Sequence, residues 1–345
     1  MTKEPLLGMT LPELLQHTKE LGLPAFTAKQ ITEWLYKKSV QSIEEMTNIS
    51  LKNRGILQER FDIGNLPPLK VQASEDGTKK YLFPTYHNKF IESAYIPEAD
   101  RATLCVSSQV GCKMACVFCM TGKQGFQDNL KAGEIINQVR SLPEFEKLTN
   151  IVYMGMGEPF DNLEEVLKSL EIFTSGYGYA WSPRRITVST IGIIPGIREF
   201  LVRSKCHLAV SLHSPFDEER KNLMPIHRVY PVREILEVVK AFDFGLQRRL
   251  SFEYIMFKGI NDSLHHVKEL ARLLNGMRCR INLIGFHPIP GTPLQGSDQQ
   301  TMKIFQEALN QKGLITTIRA SRGQDIAAAC GLLSTNVTIK NKQAD

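Results

Sequence analysis

Cys112, Cys116 and Cys119 lie within eight residues, in the stretch GCKMACVFC. A C-x3-C-x2-C run offers three thiolates to one metal centre. A structural zinc site closes its shell with four ligands, and an ordinary iron–sulfur cluster is held by four cysteines. The next histidine toward the carboxyl terminus is His207, far from the run. Three local ligands without a fourth predict an iron–sulfur cluster with one iron open to bind a small molecule and pass it an electron. A zinc knuckle or a ferredoxin-like electron carrier is the plainer alternative. Phe118 precedes the third cysteine, where an aromatic ring either shields a cluster from water or simply packs.

A second group of residues could hold an amino acid ligand. In MGMGEP, Gly155 and Gly157 allow close backbone approach, and Glu158 offers a carboxylate to an ammonium group. Ser189, Ser211 and His213 could bond a ribose or a carboxylate; each is also an ordinary structural residue. The remaining cysteines, Cys105, Cys206, Cys279 and Cys330, are by spacing alone no more than small buried hydrophobes.

The elements that must position these groups follow from periodicity. Residues 11–62 repeat apolar positions at helical spacing and predict a small helical accessory domain over 1–65. Residues 66–98 read as a small β linker or hairpin region. From 99 to 335 short apolar strands alternate with amphipathic helices. The strands are expected at 102–107, 150–155, 186–190, 207–212, 251–256, 280–285 and 314–319, and helices at 132–141, 163–174, 232–242 and 264–274. Repeated β–α units imply parallel strands with right-handed crossovers. The fold class is therefore α/β, a partial (β/α)6 TIM-like barrel, followed by a polar tail at 336–345. Active sites of such barrels form at the carboxyl ends of the strands. MGMGEP, Ser189–Thr190, Ser211–His213 and His287 each follow or end a strand, and the cysteine loop follows strand 102–107.

Composition sets the class. The chain of 345 residues is 42% hydrophobic and 23% charged, the balance of a globular protein. It has no run of about 18 apolar residues, so no membrane helix is expected. The start, MTKEPLLGMTLPELLQ, lacks a long apolar core and a cleavage site, so no secretory signal is expected. Seven cysteines, three clustered, suit a reducing cytoplasm better than a disulfide framework. A net charge of +6 is weak support for a polyanionic partner. The doublets Lys79–Lys80, Arg184–Arg185 and Arg248–Arg249 are ordinary solvated charges unless they ring one opening. Arg184–Arg185, and Arg319 with Arg322, are the candidates for phosphate contact.

From about residue 90 to 335 the chain resembles the RlmN/Cfr family of radical S-adenosylmethionine RNA methyltransferases, and its RlmN branch in particular. The resemblance rests on IESAYIPEADRATLCVSSQVGCKMACVFC, GKQGF, MGMGEP, SPRRITVSTIGIIP, SLHSP, MPI, INDS and RGQDIAAACG, with FTAKQITEWLY similar to the family's accessory domain. It implies that Cys112, Cys116 and Cys119 hold a 4Fe–4S cluster. Gly157, Glu158, Ser189, Ser211, Leu212, His213 and His287 fall where the family contacts S-adenosylmethionine. His287 replaces an asparagine usual in RlmN and, unlike it, titrates near neutral pH. Cys330 matches the cysteine that carries the methyl group, Cys105 the one that releases the product through a disulfide, and Glu92 a proton acceptor. The implied reaction is methylation at carbon 2 of an adenosine in large-subunit rRNA and of a tRNA adenosine beside the anticodon. Carbon-8 methylation of the Cfr type is the alternative. The implied electron donor is a flavodoxin or ferredoxin, and no membrane is involved.

Overall fold

The computed structural model describes residues 3–335; the expected tail at 336–345 lies outside the described residues. The amino-terminal segment forms β1 (Glu4–Pro5), α1 (Leu11–Glu20), α2 (Phe26–Tyr36), α3 (Leu51–Arg60) and β2 (Phe61–Asp62). Thr10 starts α1 with a capping box: its backbone N–H donates to Glu13 at 2.7 Å, and its hydroxyl oxygen accepts from the Glu13 N–H at 3.4 Å. β1 pairs with β2 in parallel and closes the segment. Leu14, Ile31, Leu35 and Leu57 pack into the same apolar core as the barrel. Glu13 also takes the Lys168 ammonium at 2.6 Å, tying α1 to the barrel.

Three strands follow, β3 (Lys70–Ala73), β4 (Lys79–Pro84) and β5 (Phe90–Pro97). They do not stand apart as a linker: they are antiparallel to one another, and β5 pairs with β6 (Ala102–Cys105) of the main sheet. After β6 come β7 (Gln109–Val110), α4 (Met120–Gln124), β8 (Asp128–Asn129), α5 (Ala132–Arg140), β9 (Asn150–Tyr153) and α6 (Leu163–Thr174). The chain continues through β10 (Ile186–Thr190), α7 (Ile194–Arg203), β11 (His207–Ser211), α8 (Asp217–Leu223) and α9 (Val232–Lys240). It ends with β12 (Leu250–Met256), α10 (Leu264–Leu273), β13 (Arg280–Gly285), α11 (Gln299–Gln311) and β14 (Ile315–Arg319).

The ten-stranded sheet has the order β14-β13-β12-β11-β10-β9-β6-β5-β4-β3. Its seven strands from β6 to β14 are mutually parallel and joined by helical crossovers, which is the expected partial barrel. Side chains alternate across each strand. Leu104, Ile151, Val188, Leu208, Phe252 and Leu283 point outward, and each is fully buried. Burial of each such side chain stabilises the fold by about 1.5–3 kcal/mol. The alternate, lumen-facing set is mostly polar or small: Thr103, Cys105, Thr187, Ser189, His207, Ala209, Ser211, Ser251, Glu253 and Asn282, with Val152 and Ile284 as apolar members. A closed barrel fills its lumen with branched apolar residues. This one leaves a cavity of about 540 Å³.

Candidate active site

The cavity is walled at the carboxyl ends of the strands by Cys105, Cys119, Met154, Gly155, His287 and Cys330. The loop after β14 brings Cys330 there. It is pinned on one side by Asp76, whose carboxylate accepts from the Gly323 N–H at 2.9 Å, and by the Ser74 hydroxyl donating to Asp325 at 2.6 Å. On the other side the Met120 N–H donates to Gly331 O at 2.8 Å and the Thr121 hydroxyl to Leu333 O at 2.7 Å. Because Met120 and Thr121 follow Cys119 directly, the same bonds place Cys330 beside the cysteine loop. Cys105 packs with Ala94, Val152 and Ala328. All seven cysteines are free. Cys105 is buried and Cys330 exposed.

Burial, then the neighbouring Cys330, pushes the Cys105 thiol up to about 12, while Arg319 pulls it back. Arg319 donates to Met154 Sδ at 3.3 Å and pairs with Glu253 at 3.4 Å. Burial works against its charge, but Cys330, Glu253 and Cys105 outweigh it and hold the guanidinium above its ordinary value. Glu253 accepts further from Asn282 at 2.7 Å and Ser251 at 3.2 Å. Arg319, expected at phosphates, is thus turned into the cavity toward both cysteines.

The cysteine loop sits in a second apolar cluster with Met114, Phe118, Leu223, Met224, Phe257 and Phe286. Phe118 meets the His213 ring edge-on at 4.9 Å and Phe257 at 5.6 Å. Burial pushes Cys112 up to about 12 and Cys116 well above its usual range, and the neighbouring loop thiols add to both shifts. Among the described residues, no three His, Cys, Asp or Glu side chains are gathered around one ion-sized point. A cluster meets each thiolate with a different iron and asks for no such convergence. Three neighbouring thiols, Cys112 and Cys116 buried and Cys119 on the cavity wall, with a buried cation close by, are a donor set that fits an iron–sulfur cluster.

That cation is Arg220, fully buried on α8. It donates to the carbonyls of Ile191 at 2.7 Å, Ser211 at 3.1 Å, Leu212 at 3.1 Å and Tyr230 at 3.3 Å, and meets His227 Nδ1 at 3.1 Å. Burial lowers it to about 10, and Cys116 resists that shift. Sequence reasoning missed Arg220, which hides in the run DEERK like a solvated charge. It also missed Asn261, which donates to His213 O at 2.6 Å and Ile255 O at 2.7 Å and accepts from the Phe257 N–H at 2.7 Å. Glu253 carried a signal: a lone carboxylate inside the apolar strand LSFEYIM.

The residues expected to contact S-adenosylmethionine share the carboxyl end of the barrel. Ser189 and Ser211 face the lumen and are partly exposed. Leu212 is buried, its N–H donating to Glu253 O at 3.0 Å. His213 has φ +57° and accepts from the Ile255 N–H at Nδ1, 3.0 Å away. Burial lowers it to about 3, so its ring is neutral. His287 lies against Ser321 Oγ, and burial lowers its proton affinity. The two glycines of MGMGEP approach the protein's own chain: a Cβ on Gly155 would lie 2.7 Å from Val106 O, and one on Gly157 (φ +100°) 2.5 Å from Gln109 Cβ. The Glu158 carboxylate accepts from the Thr190 hydroxyl at 2.6 Å, the Ile191 N–H at 3.0 Å and the Phe160 N–H at 3.1 Å. Burial raises it to about 7. Glu92 is not on the cavity wall; its carboxylate pairs with Lys80 at 3.3 Å and accepts from the Ser334 N–H at 3.1 Å, behind the segment that carries Cys330.

Each arginine doublet divides between inside and outside. Arg185 donates to Thr149 O at 2.6 Å and lies 3.9 Å over the Trp181 ring, and Arg248 donates to Cys206 O and Leu201 O, both at 2.9 Å. These two are structural. Arg184 and Arg249 are exposed.

An open parallel barrel with a three-thiol loop at its carboxyl mouth defines a radical S-adenosylmethionine enzyme, and residues 106–274 match the model of the Radical SAM superfamily. Residues 5–63 match the ribosomal RNA large subunit methyltransferase N-terminal domain. The chain is 59% identical over 335 residues to the probable dual-specificity RNA methyltransferase RlmN of Bacteroides fragilis strain YCH46, covering 97% of each. It is 43% identical over 359 residues to the dual-specificity RNA methyltransferase RlmN of Campylobacter hominis, covering 98% of this chain and 99% of that one. A crystal structure of a radical SAM methyltransferase from Sphaerobacter thermophilus superposes with a TM-score of 0.89 at 39% identity, over 95% of this chain and 98% of that one. The chain belongs to the RlmN family of radical SAM RNA methyltransferases. Its cofactors are a 4Fe–4S cluster and S-adenosylmethionine.

Proposed function

We propose that this enzyme methylates carbon 2 of an adenosine in large-subunit rRNA and of a tRNA adenosine beside the anticodon, through a methyl group carried on Cys330. One observation carries the reading: an exposed and a buried cysteine, distant in sequence, line one cavity beside the cysteine loop. Carbon 2 is an aromatic C–H without nucleophilic character, so direct displacement on a sulfonium methyl does not serve. Cys330, reachable from solvent, takes the methyl by displacement as a thiolate and leaves its proton to solvent. Cys112, Cys116 and Cys119 hold the cluster, which with S-adenosylmethionine supplies the one-electron chemistry that activates the carried methyl.

Cys105 then resolves the adduct. The carried carbon would by then be bonded to both Cys330 and ring carbon 2, with the C2 proton lost to a base and one electron given up to the cluster the loop would hold. As a thiolate Cys105 attacks the Cys330 sulfur, the S–S bond forms as the S–C bond breaks, and the released electron pair goes to the carried carbon, which takes a proton to complete the methyl group. In the resting protein Cys105 is held protonated by burial and by Cys330. Alkylation of Cys330 removes that second repulsion and leaves the Arg319 cation to favour the Cys105 thiolate. Arg319, anchored by Glu253, thus shifts Cys105 toward the thiolate once Cys330 is loaded, against the burial that remains the larger effect. Glu92, matched by the resemblance to a proton acceptor, lies off the cavity wall and bonds the segment bearing Cys330 through Ser334, which suits it to positioning that segment. Gly157, Glu158, Ser189, Ser211, Leu212, His213 and His287 frame the place for S-adenosylmethionine. The setting is the reducing cytoplasm, with a flavodoxin or ferredoxin as donor.

Mass spectrometry of RNA nucleosides from cells lacking and regaining the gene tests this. The expected product is 2-methyladenosine; 8-methyladenosine, or no change, overturns the reading. Cys105→Ala is expected to accumulate protein covalently joined to RNA, and Cys330→Ala to make neither adduct nor product.

A further inference from the structure

The same cavity has a second mouth. At the amino ends of the strands it is lined by Arg101, His207, Arg249 and Arg280, with Glu98 the one carboxylate among them. Arg101 and Arg249 immediately precede β6 and β12, Arg280 opens β13, and Arg184 lies two residues before β10. We infer that this arginine collar is a contact surface for the RNA substrate, gripping phosphates of the strand that presents the target base, an inference that rests on the RNA reading above.

The charges there are not internally balanced. Arg184, Arg249 and Arg280 form no ion pair among the described residues, and all are exposed. They contrast with Arg185 and Arg248, whose guanidiniums are taken up by carbonyls. Arg101 pairs with Glu98 at 3.4 Å, both half-exposed. Such a surface pair is worth about 1 kcal/mol or less and gives way readily to a phosphate. The cations feel one another: burial first, then Arg280 and Arg101, lower the Arg249 guanidinium. His207 is pushed down to about 4 by burial and by Arg249, Arg248, Arg184 and Arg280. Holding like charges around one opening costs stability, and a polyanion removes that cost.

The spread of the collar decides what the anion is. The arginines belong to separate strands around a mouth, so they do not close on one point as a site for a small anion does. A phosphodiester chain meets them in succession. Each neutralised phosphate of a single strand adds about 0.7 to the slope of log affinity against log salt.

The test measures binding of a hairpin RNA with an unpaired loop adenosine to the holoenzyme across salt concentrations. Arg101→Gln/Arg249→Gln/Arg280→Gln is expected to lower the slope by about 2. Between about 50 and 200 mM salt, wild-type affinity then falls about twentyfold more than the variant's. The triple Arg→Lys variant is expected to keep the wild-type slope, and Arg280→Gln alone to lower it by about 0.7. Equal slopes for wild type and both Gln variants overturn the collar while leaving the RNA reading intact. Wild-type protein that binds the hairpin without salt dependence overturns the collar, and failure of the wild type to bind RNA at all overturns the proposed function with it. Displacement of RNA by millimolar inorganic phosphate from wild type, at a site lost in the triple Gln variant, identifies a small-anion site and also overturns it.

Discussion

Replacing Arg220 with Met keeps the methylene stem and removes the guanidinium that bonds four carbonyls and His227. Leu212 O keeps the Ser214 N–H at 2.8 Å; each of the other four acceptors left without a donor costs about 1–3 kcal/mol, so together they cost about 4 kcal/mol at the low end and about 8 at a middle value. Relief comes from no longer burying a cation whose proton affinity burial has lowered to about 10; that depression from 12.5 corresponds to about 3 kcal/mol at about 1.4 kcal/mol per unit. The net loss is about 1–5 kcal/mol, and at about 2 °C per kcal/mol for a chain of this size the apoprotein is expected to melt about 2–10 °C lower. Arg220→Lys keeps the charge but cannot span five acceptors, so it should fall between. Three of the carbonyls belong to Ile191, Ser211 and Leu212, at the mouth expected to hold S-adenosylmethionine, so the KM for that cofactor is expected to rise as well. Anaerobic differential scanning fluorimetry checks the first expectation and cofactor titration the second. A Met variant melting within about 1 °C of wild type would refute the reasoning.

His213 and His207 are lowered to about 3 and about 4, so the unfolded chain takes protons first on acidification. Their contribution is intact above about pH 6.5 and is lost below it, at about 1.4 kcal/mol per pH unit for each histidine. His213→Asn supplies an acceptor for the Ile255 N–H and tolerates φ +57°, so its denaturant midpoint is expected to fall less steeply between pH 6.5 and 4, with an unchanged slope counting against the idea. Alkylation by iodoacetamide, followed by peptide mass spectrometry, is expected to label exposed Cys330 well before buried Cys105, and Cys105 labelling should climb with pH toward about 12; comparable rates at pH 8 would contradict the burial of Cys105.

The strands and helices of the barrel were readable because their outward faces repeat at 2.0 or 3.6 residues, and local spacing carries that period. The 102–107 and 150–155 readings run two residues past β6 and β9, where the chain turns to form the site. The joining of β5 to β6 was not readable, since antiparallel pairing depends on partners that periodicity does not name. The inward face was equally silent. LSFEYIM shows a carboxylate in an apolar run, but only the register of β12 against β13 puts Glu253 beside Asn282 and Arg319. The doublets Arg184–Arg185 and Arg248–Arg249 look alike in sequence; the fold turns one member of each onto carbonyls and leaves the other at the mouth.

What the sequence by itself determined is the chemistry available: three thiols at C-x3-C-x2-C, two further cysteines, and alternating elements that must become an open parallel barrel. Those are local matters, set by ligand spacing and by the periodic burial of apolar side chains. The tertiary structure alone decided which charges meet. It put Cys105 and Cys330 on one wall with Arg319 beside them, buried Arg220 under the strand ends, and gathered the unpaired arginines at the opposite mouth. Coulomb energy depends on distance through space and on the surrounding dielectric, and neither is written in the order of residues along the chain.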